Sequence, residues 1–114
     1  MLRVSKEGQT ISEKILVADN SVTRIIGLMF RKSPPKMADG LLLDPCNSIH
    51  TCFMRYPLDV VFLNSNYKVI KVIRNLKPWR MTWIYFKASK TLELPAGKLP
   101  IGIKEGDVLE VEVV

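Results

Sequence analysis

Long apolar runs are missing from this 114-residue chain: the longest, such as Val60–Leu63, extend for only a handful of residues, far below the ~18 that a membrane-spanning helix needs. The first residues, Met1–Gly8, are interrupted by Arg3, Lys6 and Glu7. They offer no apolar core or small-residue cleavage site of the kind a secretory signal carries, so the expectation is a cytoplasmic protein. Cysteine is scarce: Cys46 and Cys52 read as free thiols, not as a disulfide framework. None of the glycine patterns GxxxxGK[ST], GxGxxG or GxSxG occurs, which removes support for phosphate-cradling loops and for a hydrolase nucleophile elbow. No internal repeat or low-complexity stretch is visible, and the length suits one domain spanning residues 1–114.

Negative charge is absent over a long central stretch. Between Asp59 and Glu93 there is no acidic residue, while Lys68, Lys71, Arg74, Lys77, Arg80, Lys87 and Lys90 all fall there. Beyond that stretch the balance reverses, with Glu105, Asp107, Glu110 and Glu112 against Lys98 and Lys104. The formal net charge is +6, so the surface should attract anions. Pairing of the basic middle with the acidic C-terminal part is the structural explanation of the same pattern.

What is present reads mostly as short strands. Ile11, Glu13, Ile15 and Val17 alternate near a period of two, and Asp19-Asn20-Ser21 supplies capping chemistry before a helix of about two turns over residues 22–29. Ser33-Pro34-Pro35 cannot continue that helix. Leu41–Leu43, Leu58–Leu63, Tyr67–Ile73, a strand from Thr91 to Leu94, and Val108–Val113 follow, separated by turn residues. The fold expected from this punctuation is mostly β: a small antiparallel barrel or sandwich with one short N-terminal helix packed against it.

Reactive side chains concentrate around the single histidine, in Cys46-Asn47-Ser48-Ile49-His50-Thr51-Cys52-Phe53-Met54-Arg55. If residues 48–54 are extended, His50, Cys52 and Met54 share one face. A thiol beside an imidazole is the raw material of a Cys/His-dependent hydrolase, yet Cys52 reads equally as a small buried hydrophobe. Cys46, His50 and Cys52 do not have the spacing of known zinc hooks, so no metal and no cofactor are expected. A second concentration, Lys77-Pro78-Trp79-Arg80-Met81-Thr82-Trp83-Ile84-Tyr85-Phe86-Lys87, mixes cations with aromatic faces, the pairing used for single-stranded nucleic acid. A solvated basic face is the plainer reading.

Taken together, several segments look like one family. Gly27-Leu28-Met29-Phe30-Arg31, Ile49-His50-Thr51 with Met54, Pro57-Leu58-Asp59-Val60-Val61-Phe62-Leu63, Leu92-Glu93-Leu94-Pro95-Ala96-Gly97 and Gly106-Asp107 resemble the small prokaryotic domains grouped as domain of unknown function 192, over about residues 9–112. The resemblance implies a compact jelly-roll-like or barrel-like β domain with one helix and brings no established reaction. It directs attention to Arg24, Arg31, His50, Met54, Asp59, Glu93 and Asp107. Asp59 sits where an arginine such as Arg24 or Arg55 would neutralise it, Glu93 suits a similar ion pair, and Asp107 suits a turn.

The function expected is that of a non-enzymatic module binding a small anionic ligand or a protein partner at a concave end lined by His50, Arg55, Trp79 and Arg80. No catalytic residue is assigned. Nucleic acid and the thiol hydrolase are the alternatives.

Overall fold

The computed structural model describes residues 1–18, 39–52 and 54–113. Seven strands run through them: β1 (Leu2–Lys6), β2 (Gln9–Ala18), β3 (Gly40–Leu43), β4 (Leu58–Leu63), β5 (Val69–Leu76), β6 (Lys90–Pro95) and β7 (Glu110–Val113). They form one sheet in the order β5-β4-β6-β3-β2-β1-β7. The expected helix over residues 22–29, and with it Arg24 and Arg31, lies outside the described residues.

Local chemistry accounts for the hairpins. β1 and β2 meet through the two-residue loop Glu7-Gly8, flanked by the pair Lys6↔Gln9, and both loop residues have positive φ. That is the backbone twist which suits a tight hairpin, and glycine supplies it at little steric cost. β4 and β5 pair antiparallel across Asn64-Ser65-Asn66. There the Asn64 side chain accepts the N–H groups of Asn66 and Lys68.

The expectation of a wholly antiparallel sheet is corrected at one place: β2 and β3 pair parallel, from Ile15↔Gly40 to Ala18↔Leu43. Parallel neighbours require a crossover of a dozen residues or more, and residues 19–39 supply that length. Gly40 is needed here, because a Cβ would meet the Glu93 carbonyl oxygen and a Leu94 methyl at 2.5 Å.

The sheet curls until its outer strands approach, but among the described residues no strand ladder closes it. An isolated bridge, Lys68↔Val108, links the segments beside β5 and β7. Its neighbours are bonds from Val69 N–H to Asp107 O and from Leu109 N–H to Tyr67 O. Inside the curl, Val4, Ile15, Leu42, Val61, Leu63, Leu92 and Leu109 pack as one core. β4 is buried along its whole length, because its other face carries a second core of Leu58, Val60 and Phe62 with Ile49, Met54 and Ala88. The loops 44–57 and 77–89 supply the cover for that second core, and they contain both of the segments that drew attention in the sequence.

The acidic C-terminal part pairs mainly with cations of β1. Glu112 pairs with Arg3 at 2.8 Å and Asp107 with Lys6 at 2.9 Å. From the basic middle, Lys71 alone among the described residues reaches the acidic part, at Glu105 (3.6 Å), while Lys90 pairs with Asp44.

Candidate functional site

The two segments form a short antiparallel ribbon over the second core. His50 and Met81 are cross-strand partners, bracketed by Thr51 N–H donating to Arg80 O and Thr82 N–H donating to Ile49 O. This is the geometry of a non-hydrogen-bonded pair, in which facing side chains stand closest and on the same side. Thr51, fully buried, is the peg beneath it. Its hydroxyl donates to Lys77 O at 2.7 Å and accepts Arg80 N–H at 2.9 Å, while its carbonyl accepts Trp79 N–H. Those bonds hold Trp79 at φ 63°, a left-handed conformation uncommon for so large a residue. Further along, Tyr85 N–H donates to Asn47 O and the Tyr85 ring tilts over Phe62, centroids 4.6 Å apart.

Anchored in this way, the ribbon and its continuation turn large apolar groups outward. Met81 and Trp83 are each 80% exposed, Phe86 87% and Trp79 58%. Met81 stands on the same side as its cross-strand partner His50; Trp83, two residues on, is exposed as well, and Trp79 reaches solvent from its left-handed turn. Between and beside them Lys77, Arg80 and Lys87 are exposed, and among the described residues none of the three enters an ion pair. A monomer normally scatters exposed apolar side chains singly; a run of them marks a contact surface.

The structure therefore brings together three of the four residues expected to bind, His50, Trp79 and Arg80. Arg55, also exposed, follows the turn closed by Met54 N–H donating to Thr51 O, and among the described residues no hydrogen bond or ion pair draws it to the other three. That turn also corrects the expected extended run through Met54: the methionine points into the second core at 8% exposure while His50 faces solvent. The expected concave end takes the form of side chains projecting from the surface. Cys46 belongs to the cover layer, its Sγ donating to Ser48 O at 3.1 Å, and burial pushes its thiol pKa up, holding the proton on. Among the described residues no cluster of three His, Cys, Asp or Glu stands ready for a metal.

The acidic positions are structural in their contacts. Asp59, 2% exposed, has no arginine partner among the described residues, which corrects the expected ion pair with Arg55; Arg24 lies outside the described residues. Its Oδ1 accepts Asn75 N–H at 2.9 Å, and Oδ2 accepts Gly97 N–H at 2.9 Å and Leu99 N–H at 3.2 Å. Three backbone donors satisfy a buried carboxylate without a counter-charge. Glu93, set between Leu41 and Val60 in the sheet, also has no ion-pair partner among the described residues. The residue keeps some exposure, but its central position lets burial push the carboxyl up to about 7. Asp107 accepts Lys104 N–H within its own turn, and the Lys6 ammonium, followed by that backbone bond, draws its pKa down.

Two residues that sequence reasoning passed over do much of the positioning. Thr51 orders the ribbon, and Arg74 fans its guanidinium over the carbonyls of Leu99, Pro100, Ile101 and Ile103. Thr51 stands in the family-like motif Ile49-His50-Thr51, but nothing in the sequence assigns it a role. Arg74 reads there as one more cation of the basic stretch.

Residues 2–111 match the family model of DUF192, described as Uncharacterized ACR. A UPF0127 protein of Pyrococcus furiosus is 39% identical over 113 residues, 96% of each chain. Among solved structures, a protein of unknown function from Novosphingobium aromaticivorans superposes with a TM-score of 0.73 at 22% identity, covering 96% of this chain and 82% of that one. A candidate transcription regulator from Sinorhizobium meliloti gives 0.70 at 24% identity, covering 96% and 91%. At such identities the likeness to these two structures is one of fold.

Proposed function

The chain belongs to the DUF192 family of uncharacterised proteins, and from that premise we propose that it is a non-enzymatic binding module, a curled jelly-roll-like barrel left open at one seam. Its ribbon of residues 49–51 and 79–82 docks an anionic partner. The observation that carries this reading is the coincidence, within one exposed segment, of large apolar side chains with the cations Lys77, Arg80 and Lys87, none of them ion-paired among the described residues. Folding gains nothing from apolar side chains left in water, and cations without facing acids raise the local potential for anions. His50, paired with Met81, and Arg55 complete the set of polar groups available to a ligand.

The test is retention of the intact chain on immobilised heparin, used as a generic polyanion. Arg55→Ala with Arg80→Ala is compared with Lys98→Ala plus Lys104→Ala, which removes the same charge elsewhere. Elution of the first pair at clearly lower salt than the second supports the site, and His50→Ala should weaken retention in the same direction. Equal elution of the two pairs overturns the reading, because retention would then follow net charge alone.

A further inference from the structure

We propose that the surface met by the ribbon is an anionic lipid bilayer, entered at headgroup depth by Met81, Trp83 and Phe86 while Lys77, Arg80 and Lys87 meet the lipid phosphates. The inference rests on the binding reading above and supplies its partner.

Three observations favour lipid. First, the projecting groups are chemically mixed: Trp83 and Phe86 stand with Met81 and with Ile84, 53% exposed. Bases stack on aromatic faces, and Met81 and Ile84 offer none, whereas an acyl boundary accepts thioether, aliphatic and aromatic groups alike. Second, tryptophan flanked by Lys and Arg is the combination that settles at a membrane interface, its ring at headgroup level and the cations beside phosphate. The absence of any acid from residue 60 to residue 92 leaves nothing there to oppose an anionic surface. Third, the side chains project from a ribbon pinned by Thr51 and by the Tyr85 N–H bond to Asn47 O, so insertion orders little additional backbone. A second copy of the chain fits less well, because it would press one cationic face against another. No described helix is long and apolar enough to span a bilayer, so the contact proposed is peripheral.

The protein carries its own reporter, since its only tryptophans, Trp79 and Trp83, both lie in this segment. The intact chain is titrated with vesicles of phosphatidylcholine, with vesicles of phosphatidylcholine containing phosphatidylserine, and with an oligothymidylate. The expected result is a blue shift and enhancement of tryptophan emission with the phosphatidylserine vesicles, quenching by bromine-labelled lipid, and reversal by high salt. Arg80→Ala with Lys87→Ala should lower partitioning about 30-fold, at roughly fivefold per basic residue. Phe86→Ser with Met81→Ser should lower it at least ~10-fold, and both positions are exposed enough to leave the denaturation midpoint in place. No emission shift with anionic vesicles, in a protein whose heparin retention still depends on Arg55 and Arg80, overturns the lipid partner and leaves the binding site standing. A saturable response to the oligothymidylate at lower concentration than to lipid also overturns it, in favour of nucleic acid. If neither the shift nor the heparin difference appears, both readings fall.

Discussion

Replacing Asp59 by asparagine removes a charge and almost no volume, which makes it a sharp test of how the interior is held. In the native chain the two carboxylate oxygens take three backbone donors, from Asn75, Gly97 and Leu99. An asparagine there has one acceptor oxygen. Its better orientation turns that oxygen toward Gly97 and Leu99 and sets its amide group against the Asn75 N–H, so one donor is orphaned and the other two bond a neutral acceptor. A hydrogen bond to a charged group contributes about 1.5–3 kcal/mol and a neutral one about 1 kcal/mol. The substitution should therefore cost about 3 kcal/mol, or a fall of roughly 10–15 °C in Tm for a chain of this length. Urea unfolding at neutral pH, followed by circular dichroism, measures it as a lower midpoint at unchanged slope. Asp59→Ala, which orphans all three donors, should cost more. A loss below about 1 kcal/mol for Asp59→Asn would refute the reasoning, since it would mean that those amides find water or another acceptor.

Three further outcomes follow from the same contacts. Gly40→Ala sets a Cβ 2.5 Å from the Glu93 carbonyl oxygen and should destabilise by about 1–3 kcal/mol, read as a lower thermal midpoint with the ribbon's heparin retention intact. Glu93 holds its proton up to about 7 in the folded chain, against an ordinary 4.5. The native state thus binds more protons than the unfolded chain between those values, and stability should fall as pH rises through that window, then level off. Glu93→Gln should flatten that slope and be the more stable chain above pH 7, by up to about 3 kcal/mol. Thr51→Val keeps the shape but strips the bonds to Lys77 O and Arg80 N–H; a loss of about 2 kcal/mol with broadened, more mobile tryptophan emission is expected, and an unaltered anisotropy would contradict its role as the peg.

Much of the sheet is legible because strands β2 to β7 carry local signals. Alternation marked Ile11–Val17, and Asn64-Ser65-Asn66 announced the β4–β5 hairpin with the very side chain, Asn64, that closes it. β1 carries no such mark, because Leu2 and Val4 make too short an apolar alternation among charges. The parallel pairing of β2 with β3 had no local trace at all: nothing in Ile15–Ala18 or Gly40–Leu43 states which way its neighbour runs. At the candidate site, composition pointed to the segment around Trp79 and Arg80, and its pairing with His50 emerged only from long-range hydrogen bonds. Aromatic residues between cations suggest equally a covered cleft and a projecting edge. The choice was made by Thr82 and Tyr85 facing inward, which left Met81, Trp83 and Phe86 no direction but outward. The sequence suggests an arginine partner for Asp59, but the partners found are backbone amides, which sequence cannot advertise as it does an arginine.

The position of β7 beside β1 has a consequence for how the chain is made. Leu2 pairs with Val113 and Ser5 with Glu110, so the strand of this sheet that is made first is flanked on one side by the strand of the sheet that is made last. At ~5–20 residues per second of synthesis, β1 spends roughly 5–20 s with that edge bare. It is a short edge, carrying Arg3 and Lys6, and charges on a bare edge discourage pairing with the wrong strand. The same cations later receive Glu112 and Asp107. What guards the nascent strand during its wait becomes the clasp that receives the final one.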